Sequence, residues 1–325
     1  MGRDKTENQM VVAITVTYNR TRTLERCLQA LLAQSRPVDK ILVVDNRSNE
    51  DESRKVRELA SQAEKIHLIE LEENLGGAGG FEAGMRETLK IWNPDWYWLM
   101  DDDAYPREDC LEKLLAHGEE LPDAGGLCPA IYGIDLKKHQ MFHHKKLTRL
   151  MLKSVPVARQ YQDLDAVTRE DANAFVGPLF SGKAVRELGV ADGSLFIYGD
   201  DTEYTHRVSV KYPLYLIKTA VIDHQDAPVL NENMKPEGWW KEYYGIRNHY
   251  FMIREFQTNQ IVRLMGYMGL TLRLMAIMGK SLIKGYDFLR IKLIAQAMKD
   301  GISDKRGKTL DPQKYFAYLR KRKMM

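Results

Sequence analysis

Short β-branched runs alternate with amphipathic helical runs early in this chain, and this alternation restricts its fold more than any other feature. Strands are predicted at Met10–Thr17, Lys40–Asp45, Ile66–Leu71 and Trp96–Asp101. Helices are predicted at Thr23–Gln34, Glu50–Ala63, Gly79–Trp92 and Arg107–His117. Strands that alternate with single helices form a mainly parallel sheet with right-handed crossovers. The sequence therefore predicts an α/β fold with a Rossmann-like central sheet flanked by helices.

The regular alternation ends after Pro129. Residues 131–172 are mixed and polar, contain the basic, histidine-rich stretch 137–149, and are predicted to form a loop or a small hairpin. Further strands are predicted at Ala174–Phe180 and Leu214–Ile222, with a helix at Asp201–Val210 between them. The remainder reads as helices at Trp239–Gln257, Gln260–Ile283 and Tyr286–Met298. We therefore expect an α/β domain over residues 1–255 and a helical, basic C-terminal region over residues 256–325.

Composition excludes several classes of protein. The 48 Lys and Arg nearly balance the 45 Asp and Glu, so no overall nucleic-acid signature exists. The 3 cysteines are widely spaced and form neither a disulfide framework nor a zinc pattern. His139, His143 and His144 lie close together, but no acid or cysteine spacing supports a metal site there. Because no signal-peptide pattern is present at the start of the sequence, we expect a cytoplasmic protein.

Three consecutive carboxylates follow the aromatic run Trp96–Met100, at residues Asp101 to Asp103. A strand that ends in acids delivers negative charge to the carboxyl edge of a sheet, where open α/β folds bind ligands. Crowded carboxylates repel one another unless a cation lies among them, and hard divalent cations prefer oxygen ligands. In an extended chain Asp101 and Asp103 project to one side and Asp102 to the other. The spacing therefore favours a metal held by Asp101 and Asp103.

Other strand ends place polar groups along the same edge. Thr17 and Arg20 follow the first predicted strand, and Asp45 ends the second. A P-loop-like stretch, Gly177–Ala184, has an alanine at its end in place of the required Ser or Thr, and the separate glycine-rich stretch 76–80 lacks the dinucleotide-binding spacing. The stretch 76–80 nevertheless precedes a predicted helix, where backbone amides can approach an anionic ligand closely. A flexible turn is the alternative interpretation of these glycines.

A second acidic group opens the predicted helix near residue 200. Acids in a first helical turn are favoured by the helix dipole, so capping explains some of them. Asp200, Asp201 and Glu203 together exceed what capping requires, and a general base beside a reacting hydroxyl is the functional interpretation. His224 closes a later strand-like run. It is a candidate to complete the metal site, with a structural role as the alternative.

The segment Ile261–Ile283 is apolar and rich in methionine, but Arg263, Arg273 and Lys280 interrupt it. A charge at the centre of a membrane span costs about 2.5–3.5 kcal/mol on insertion scales, which disfavours spanning. Two alternatives remain open. The helix lies in a membrane interface, which the basic C-terminal tail favours, or it packs as an ordinary amphipathic helix.

Taken in order, these motifs resemble family 2 glycosyltransferases of the GT-A fold. The resemblance rests on Val16–Arg20, Val43–Ser48, Asn74–Phe81, Leu99–Asp103, Phe196–Tyr204 and His224, and it extends over about residues 10–255. The glycine loop, the acid triplet and the segment Tyr243–Asn248 are most similar to the galactofuranosyltransferase and rhamnosyltransferase branch.

The resemblance implies a role for each candidate residue. It implies that Thr17, Arg20, Asp45, Gly76 and Gly77 bind the nucleotide sugar, and that Asp101, Asp103 and His224 bind Mn²⁺ or Mg²⁺. Asp102 either touches the donor sugar or shapes the turn. Asp201 matches the catalytic base best, although Asp200 stands where many members have Glu. The sequence also leaves Asp200, Trp239 and Trp240 as candidates for acceptor binding, with core packing as the alternative for the two tryptophans.

The activity implied is inverting transfer of a sugar from a nucleotide sugar to a growing cell-surface glycan. UDP-galactofuranose is the favoured donor and dTDP-rhamnose the alternative, and the expected acceptor is linked to a lipid at the inner face of the cytoplasmic membrane. A homo-oligomer is left open. A nucleotidyltransferase would carry a glycine-rich, basic loop after the first strand, which is not found here. An inactive sugar-nucleotide-binding scaffold is the non-enzyme alternative.

Overall fold

The computed structural model describes residues 9–225, 235–283 and 288–322. The chain divides into two compact units. The first unit comprises Met1–Lys146, Val155–Gly193 and Asp201–Asp226. The second comprises Leu147–Ser154, Ser194–Asp200 and Ala227–Met325. The helix from Trp239, which we predicted as part of the first domain, therefore belongs to the second unit.

The first unit begins with the predicted alternation of strands and helices. In chain order its elements are β1 Val11–Thr17, α1 Thr21–Leu32, β2 Lys40–Asp45, α2 Glu50–Ala60, β3 Ile66–Glu70, α3 Gly76–Ile91 and β4 Trp96–Asp101. All of the predicted strands in this region are present. The glycines at 76–80 differ from the expectation, because they form the first turns of α3 rather than a loop before it.

The rest of the first unit contains short strands as well as helices. These elements are β5 Ala104–Pro106, α4 Cys110–Glu120, β6 Gly126–Gly133, β7 Lys138–His139, β8 Lys145–Leu147, β9 Ser154–Pro156, β10 Val167–Glu170, β11 Val176–Ser181, α5 Gly182–Leu188, α6 Asp200–Lys211 and β12 Leu214–His224. The region 131–172 thus contains the predicted hairpin, formed by β8 and β9, together with two strands that join the main sheet.

The main sheet has the strand order β10-β12-β6-β11-β4-β1-β2-β3. The pairs β1-β2, β1-β4, β2-β3 and β6-β12 are parallel. Strand β11 is antiparallel to both of its neighbours, β4 and β6. The α/β fold is therefore confirmed, with a mixed sheet in which a parallel half carries the ends of β1, β2 and β4.

The sequence did not predict strand β6, because Pro129 lies within it. Proline lacks the N–H that a central strand donates and is normally confined to edges and irregularities. Here Pro129 pairs with Ile217 of β12, and the register of the two strands shifts immediately after that pair. The ladder is therefore already interrupted where the missing donor falls, and the proline is accommodated.

Both faces of the sheet are buried. Alternate residues of β1 point to opposite faces. Val11 and Ala13 join the core on one side, whereas Val12 and Ile14 join the core on the other. This burial on both faces is typical of parallel sheets that are covered by helices. It explains why β1 reads as a continuous apolar run rather than as an alternating one.

Glycines let α3 approach the sheet closely. A Cβ atom on Gly80 would lie 2.4 Å from Cγ1 of Val16, and one on Gly84 would lie 2.7 Å from Cγ2 of Ile14. Real Cβ atoms do not approach other atoms so closely, so a larger residue at either position would push the helix away from β1. At least Gly80 and Gly84 thus serve helix–sheet packing.

The second unit is mainly helical, with α7 Trp239–Phe256, α8 Gln260–Ile283, α9 Phe288–Ile302 and α10 Pro312–Lys321. The predicted start of the third C-terminal helix, Tyr286, lies outside the described residues. Gln260–Leu282 is long and apolar enough to cross a membrane by length and composition, yet only 17% of its most apolar window is buried. The low burial disfavours an ordinary core helix.

Candidate active site

The sheet brings the predicted strand ends together at one edge. In the register of the sheet, Thr17 at the end of β1 lies opposite Asp45 at the end of β2. On the other side of β1, Val16 lies opposite Asp101 at the end of β4. Because all three strands run in the same direction, their carboxyl ends meet. The polar side chains that follow them therefore share one surface.

The predicted metal ligands form one cluster at this edge. Asp101 ends β4, and His224 ends β12, which pairs with the short strand that follows Asp103. One ligand atom from each of Asp101, Asp103 and His224 lies within 4.8 Å of the other two. Two carboxylates and an imidazole suit Mn²⁺ by ligand type and Mg²⁺ through the oxygens. The residues present therefore fit a divalent cation.

Asp103 contacts two side chains, Arg20 and His224. Arg20 Nη2 donates to Asp103 Oδ2 at 2.5 Å, and His224 Nε2 lies 3.4 Å from Asp103 Oδ1. Burial opposes ionisation of this carboxyl, but its contacts with His224 and Arg20 outweigh the burial and lower the pKa of Asp103 to about 2. Asp103 is thus an anion at neutral pH, as a metal ligand must be.

Asp102 is the most buried of the three acids and is not part of the metal-ligand cluster. Thr17 Oγ1 donates to Asp102 Oδ2 at 2.7 Å, and Arg20 Nη1 lies 3.1 Å from Asp102 Oδ1. The side chain is almost fully buried, and this burial raises the pKa of Asp102 to about 7 against the attraction of Arg20. In this structure Asp102 therefore connects Thr17 to Arg20 and fixes the turn after β4.

Asp45 and Asn46, at the end of β2, hold the neighbouring loops by hydrogen bonds. Asp45 is buried; its Oδ1 accepts from Ser48 N at 2.9 Å and its Oδ2 from Ser53 Oγ at 2.5 Å. The sequence did not predict a role for Asn46, which forms hydrogen bonds to the start of α3. Its Oδ1 accepts from Leu75 N at 2.9 Å, and its Nδ2 donates to the carbonyl of Gly76 at 2.8 Å. Nucleotide binding by Asp45, Gly76 and Gly77 stays a prediction.

Asp201 lies in the first turn of α6 and is partly exposed. Its Oδ1 accepts from Thr202 N at 2.5 Å. Its Oδ2 lies 3.2 Å from Nζ of Lys145, which also donates to Thr202 Oγ1 at 2.7 Å. The carboxylate is therefore aimed by fixed donors, as a general base must be. The preceding Asp200 is buried.

The two candidate acceptor tryptophans lie in the second unit. Trp239 and Trp240 are only 4% and 9% exposed. They pack in a hydrophobic cluster of that unit with Phe196, Tyr244 and Leu319 among others. A sugar-stacking platform needs an open ring face, so the burial favours the packing alternative for both. Acceptor binding by these residues and by Asp200 stays a prediction.

The histidine-rich stretch contributes two side chains that the sequence analysis missed. Lys145 contacts Asp201, and Gln140 lies between His143 and His224. His143 is half-buried, and desolvation together with the nearby His224 and Lys145 lowers its pKa well below the usual value. No local pattern signals the contacts Lys145–Asp201 and Gln140–His224, since each joins residues more than fifty positions apart in the chain.

Comparisons with known proteins bear on the family of this chain. Residues 12–176, about half of the chain, match the family described as Glycosyl transferase family 2. The galactofuranosyltransferase GlfT1 of Mycolicibacterium smegmatis is 29% identical over 261 residues, which cover 77% of this chain and 85% of that protein. GlfT1 of Mycobacterium tuberculosis is 33% identical over 207 residues, which cover 62% of this chain and 64% of that protein.

Solved structures share the fold. TarS 1–349 of S. aureus in complex with UDP superposes with a TM-score of 0.59 at 14% identity, over 90% of this chain and 80% of that one. GalNAc-T7 with UDP, GalNAc and Mn²⁺ superposes with a TM-score of 0.58 at 15% identity, over 76% of this chain and 48% of that one. The strand-end motifs, the fold and the family match agree: the chain belongs to glycosyltransferase family 2 and is a glycosyltransferase of the GT-A fold.

Proposed function

We propose that this glycosyltransferase moves galactofuranose from UDP-galactofuranose to a lipid-linked glycan, with inversion of configuration and dependence on a divalent cation. The observation that carries the proposal is the grouping of Asp101, Asp103 and His224 at the sheet edge. Similarity to proteins named galactofuranosyltransferase supports the sugar. The UDP in structures of the same fold supports the nucleotide.

The residues at this edge of the sheet have different roles in the proposed reaction. Asp101, Asp103 and His224 hold Mn²⁺ or Mg²⁺, which supplies positive charge for the departing diphosphate when it is bound. Arg20, already at this edge through its contacts with Asp102 and Asp103, adds a second positive charge. Preorganised charge of this kind is usually the largest single contribution to such a reaction.

Asp201 is the proposed base. It accepts the proton of the acceptor hydroxyl while the hydroxyl oxygen bonds to the anomeric carbon of the donor. The bond from that carbon to the diphosphate oxygen breaks in the same displacement, and UDP leaves. A single displacement places the new bond on the opposite face of the sugar ring, which inverts the configuration. A lipid-linked hydroxyl therefore becomes a glycosidic oxygen without a covalent enzyme intermediate.

The donor is tested with purified full-length protein, Mn²⁺ and a lipid-linked glycan acceptor. We expect UDP-galactofuranose to support transfer and dTDP-rhamnose not to. UDP at about 100 times its Kd should stabilise the protein by about 2.7 kcal/mol, and thermal unfolding detects this as a raised Tm. dTDP is the matched control nucleotide. Transfer of rhamnose with a dTDP preference would replace the proposed donor by the alternative one.

We further propose that α8 lies against the anionic cytoplasmic face of a membrane. Its exposed apolar side chains recur at helical spacing and form one stripe: Ile261, Leu264, Met265, Met268, Leu272, Met275 and Leu282. No charged residue belongs to this stripe. Arg273 and Lys280 are exposed and seven positions apart, so they lie on one flank of the helix. An apolar stripe with cations beside it fits anionic headgroups and the acyl boundary.

Flotation with vesicles tests this attachment. Wild-type protein should float with vesicles that contain phosphatidylglycerol and less with neutral ones. The double variant Met268→Gln/Leu272→Gln removes two apolar contacts worth about 1.5–3 kcal/mol each, so bound protein should fall more than tenfold. Val210→Gln, at an exposed apolar residue of α6, is the matched control and should float normally. A stable dimer that does not float would assign the stripe to a second copy of the chain instead.

A further inference from the structure

Gln140 lies at the centre of a buried polar contact behind the candidate metal site. Its Oε1 is 3.0 Å from Nδ1 of His224 and 2.9 Å from Nε2 of His143. The side chain is 3% exposed. Gln140 comes from the 131–172 region, to which the sequence analysis assigned no function.

We propose that Gln140 is a positioning residue that sets the tautomer and orientation of His224 for metal binding. An amide oxygen accepts hydrogen bonds and cannot donate them, and its two lone pairs can receive two donors. Both imidazole nitrogens that face it must therefore carry protons. A neutral imidazole has only one, so Nε2 of His224 keeps its lone pair. This inference rests on the metal dependence in the proposed function.

The nitrogen left with its lone pair is the one directed at the acid cluster. Nε2 of His224 lies 3.4 Å from Oδ1 of Asp103. Without a proton on Nε2 these two atoms repel each other, and a divalent cation held by both residues would offset that repulsion. Metal-bound histidines usually have their second nitrogen fixed by such an outer partner, which sets the tautomer and the ring orientation.

The surrounding contacts hold this arrangement in place. The backbone N–H of Gln140 donates to the carbonyl of Ile131 in β6 at 2.8 Å, which anchors the amide to the sheet. The ring of His143 packs edge-on against that of His224, with 5.4 Å between centroids. His224 itself belongs to β12, the strand that pairs with β6. The imidazole therefore has little freedom to rotate away from the acids.

If the side-chain amide of Gln140 were rotated so that its oxygen and nitrogen exchanged places, the expected tautomer of His224 would be the opposite one. With its NH₂ group toward both imidazoles, Gln140 would donate to Nδ1 of His224 and leave the proton on Nε2. That proton would then bond Asp103, and His224 would have no lone pair for a cation. The tautomer of His224 therefore distinguishes a metal-positioning glutamine from one that only stabilises the fold.

Metal affinity is the first test, measured by calorimetric titration of the full-length protein with Mn²⁺ in the absence of donor. Gln140→Met keeps the side-chain length but removes the acceptor, and we expect it to weaken Mn²⁺ binding by about 10–100-fold. Gln140→Glu keeps an acceptor oxygen and should retain Mn²⁺ binding. Gln34→Met is the matched control, because Gln34 is also buried but bonds the chain near α4. It should leave Mn²⁺ affinity unchanged even if Tm falls.

The second test is the ¹⁵N spectrum of the wild-type histidines in alkaline buffer without metal, which does not depend on a folded variant. We expect the His224 proton on Nδ1. A proton on Nε2, or equal Mn²⁺ affinity in Gln140→Met and wild type, would overturn the role of Gln140 while leaving metal dependence intact. A wild-type protein that binds no Mn²⁺ would overturn both the metal dependence and this inference.

Discussion

Asp201→Asn is expected to lower kcat for sugar transfer by about 10²–10⁴-fold, the range that a positioned general base contributes. The amide keeps the shape of the side chain and can still accept from Lys145, which donates to Asp201 in the wild type. It cannot take a proton from the acceptor hydroxyl. UDP affinity should change little, because the base acts on the acceptor. Initial rates of transfer and calorimetric titration with UDP measure the two effects separately.

Two further variants make this prediction specific. Asp51→Asn changes an exposed acid on α2 and should leave kcat unchanged. Asp200→Asn distinguishes the two adjacent acids, since either position matches the acidic motif. If Asp200→Asn abolishes transfer while Asp201→Asn keeps the wild-type rate, the base is Asp200. If both variants transfer sugar normally, this acidic group has no catalytic role.

Chelation of divalent cations is expected to abolish transfer, and Mn²⁺ or Mg²⁺ should restore it. Asp103→Asn should lower kcat/KM by about 10²–10⁴-fold, because several kcal/mol of stabilisation of the leaving diphosphate depend on the bound cation. The variant also weakens the contact with Arg20, so Mn²⁺ affinity must be measured directly. Titration with Mn²⁺ and the metal dependence of initial rates provide both quantities.

The control for this prediction is Asp109→Asn. Asp109 pairs with Lys113 and lies in a half-exposed position before α4, so its substitution should not alter Mn²⁺ affinity. Full activity in the presence of EDTA would exclude metal dependence. The negative charge of the acid cluster would then be balanced by Arg20, which already contacts Asp103.

The parallel half of the fold was predictable from sequence because its signals are local. β1 and β2 are runs of apolar, β-branched residues, and each is followed by a helix with its own periodicity. In an extended chain successive side chains point to opposite sides, and this alternation predicted that Asp101 and Asp103 share one side and Asp102 lies on the other. The structure agrees, with Asp102 bonded to Thr17 and the other two acids grouped with His224.

The antiparallel half was less predictable because its strands depend on partners. β6 contains Pro129, which argues against a central strand until its position at a register shift is known. From sequence, the glycines at 76–80 are interpreted as a stretch before a helix, either for an anionic ligand or as a flexible turn. The sequence did not predict the packing role of Gly80 and Gly84, where a Cβ atom would collide with Val16 and Ile14. The need for a small residue at these positions comes from the neighbouring strand, so the local sequence does not indicate it.

The sequence alone determined the α/β class, the family and the identity of the acids at the strand ends, because hydrophobic periodicity and motif order act over a few residues. Tertiary structure alone decided what surrounds those acids. Gln140 reaches His224 and Lys145 reaches Asp201 only after β6, β12 and α6 have assembled. These contacts join positions far apart in the chain. A hydrogen bond between such positions is specified by the fold as a whole and not by any local pattern.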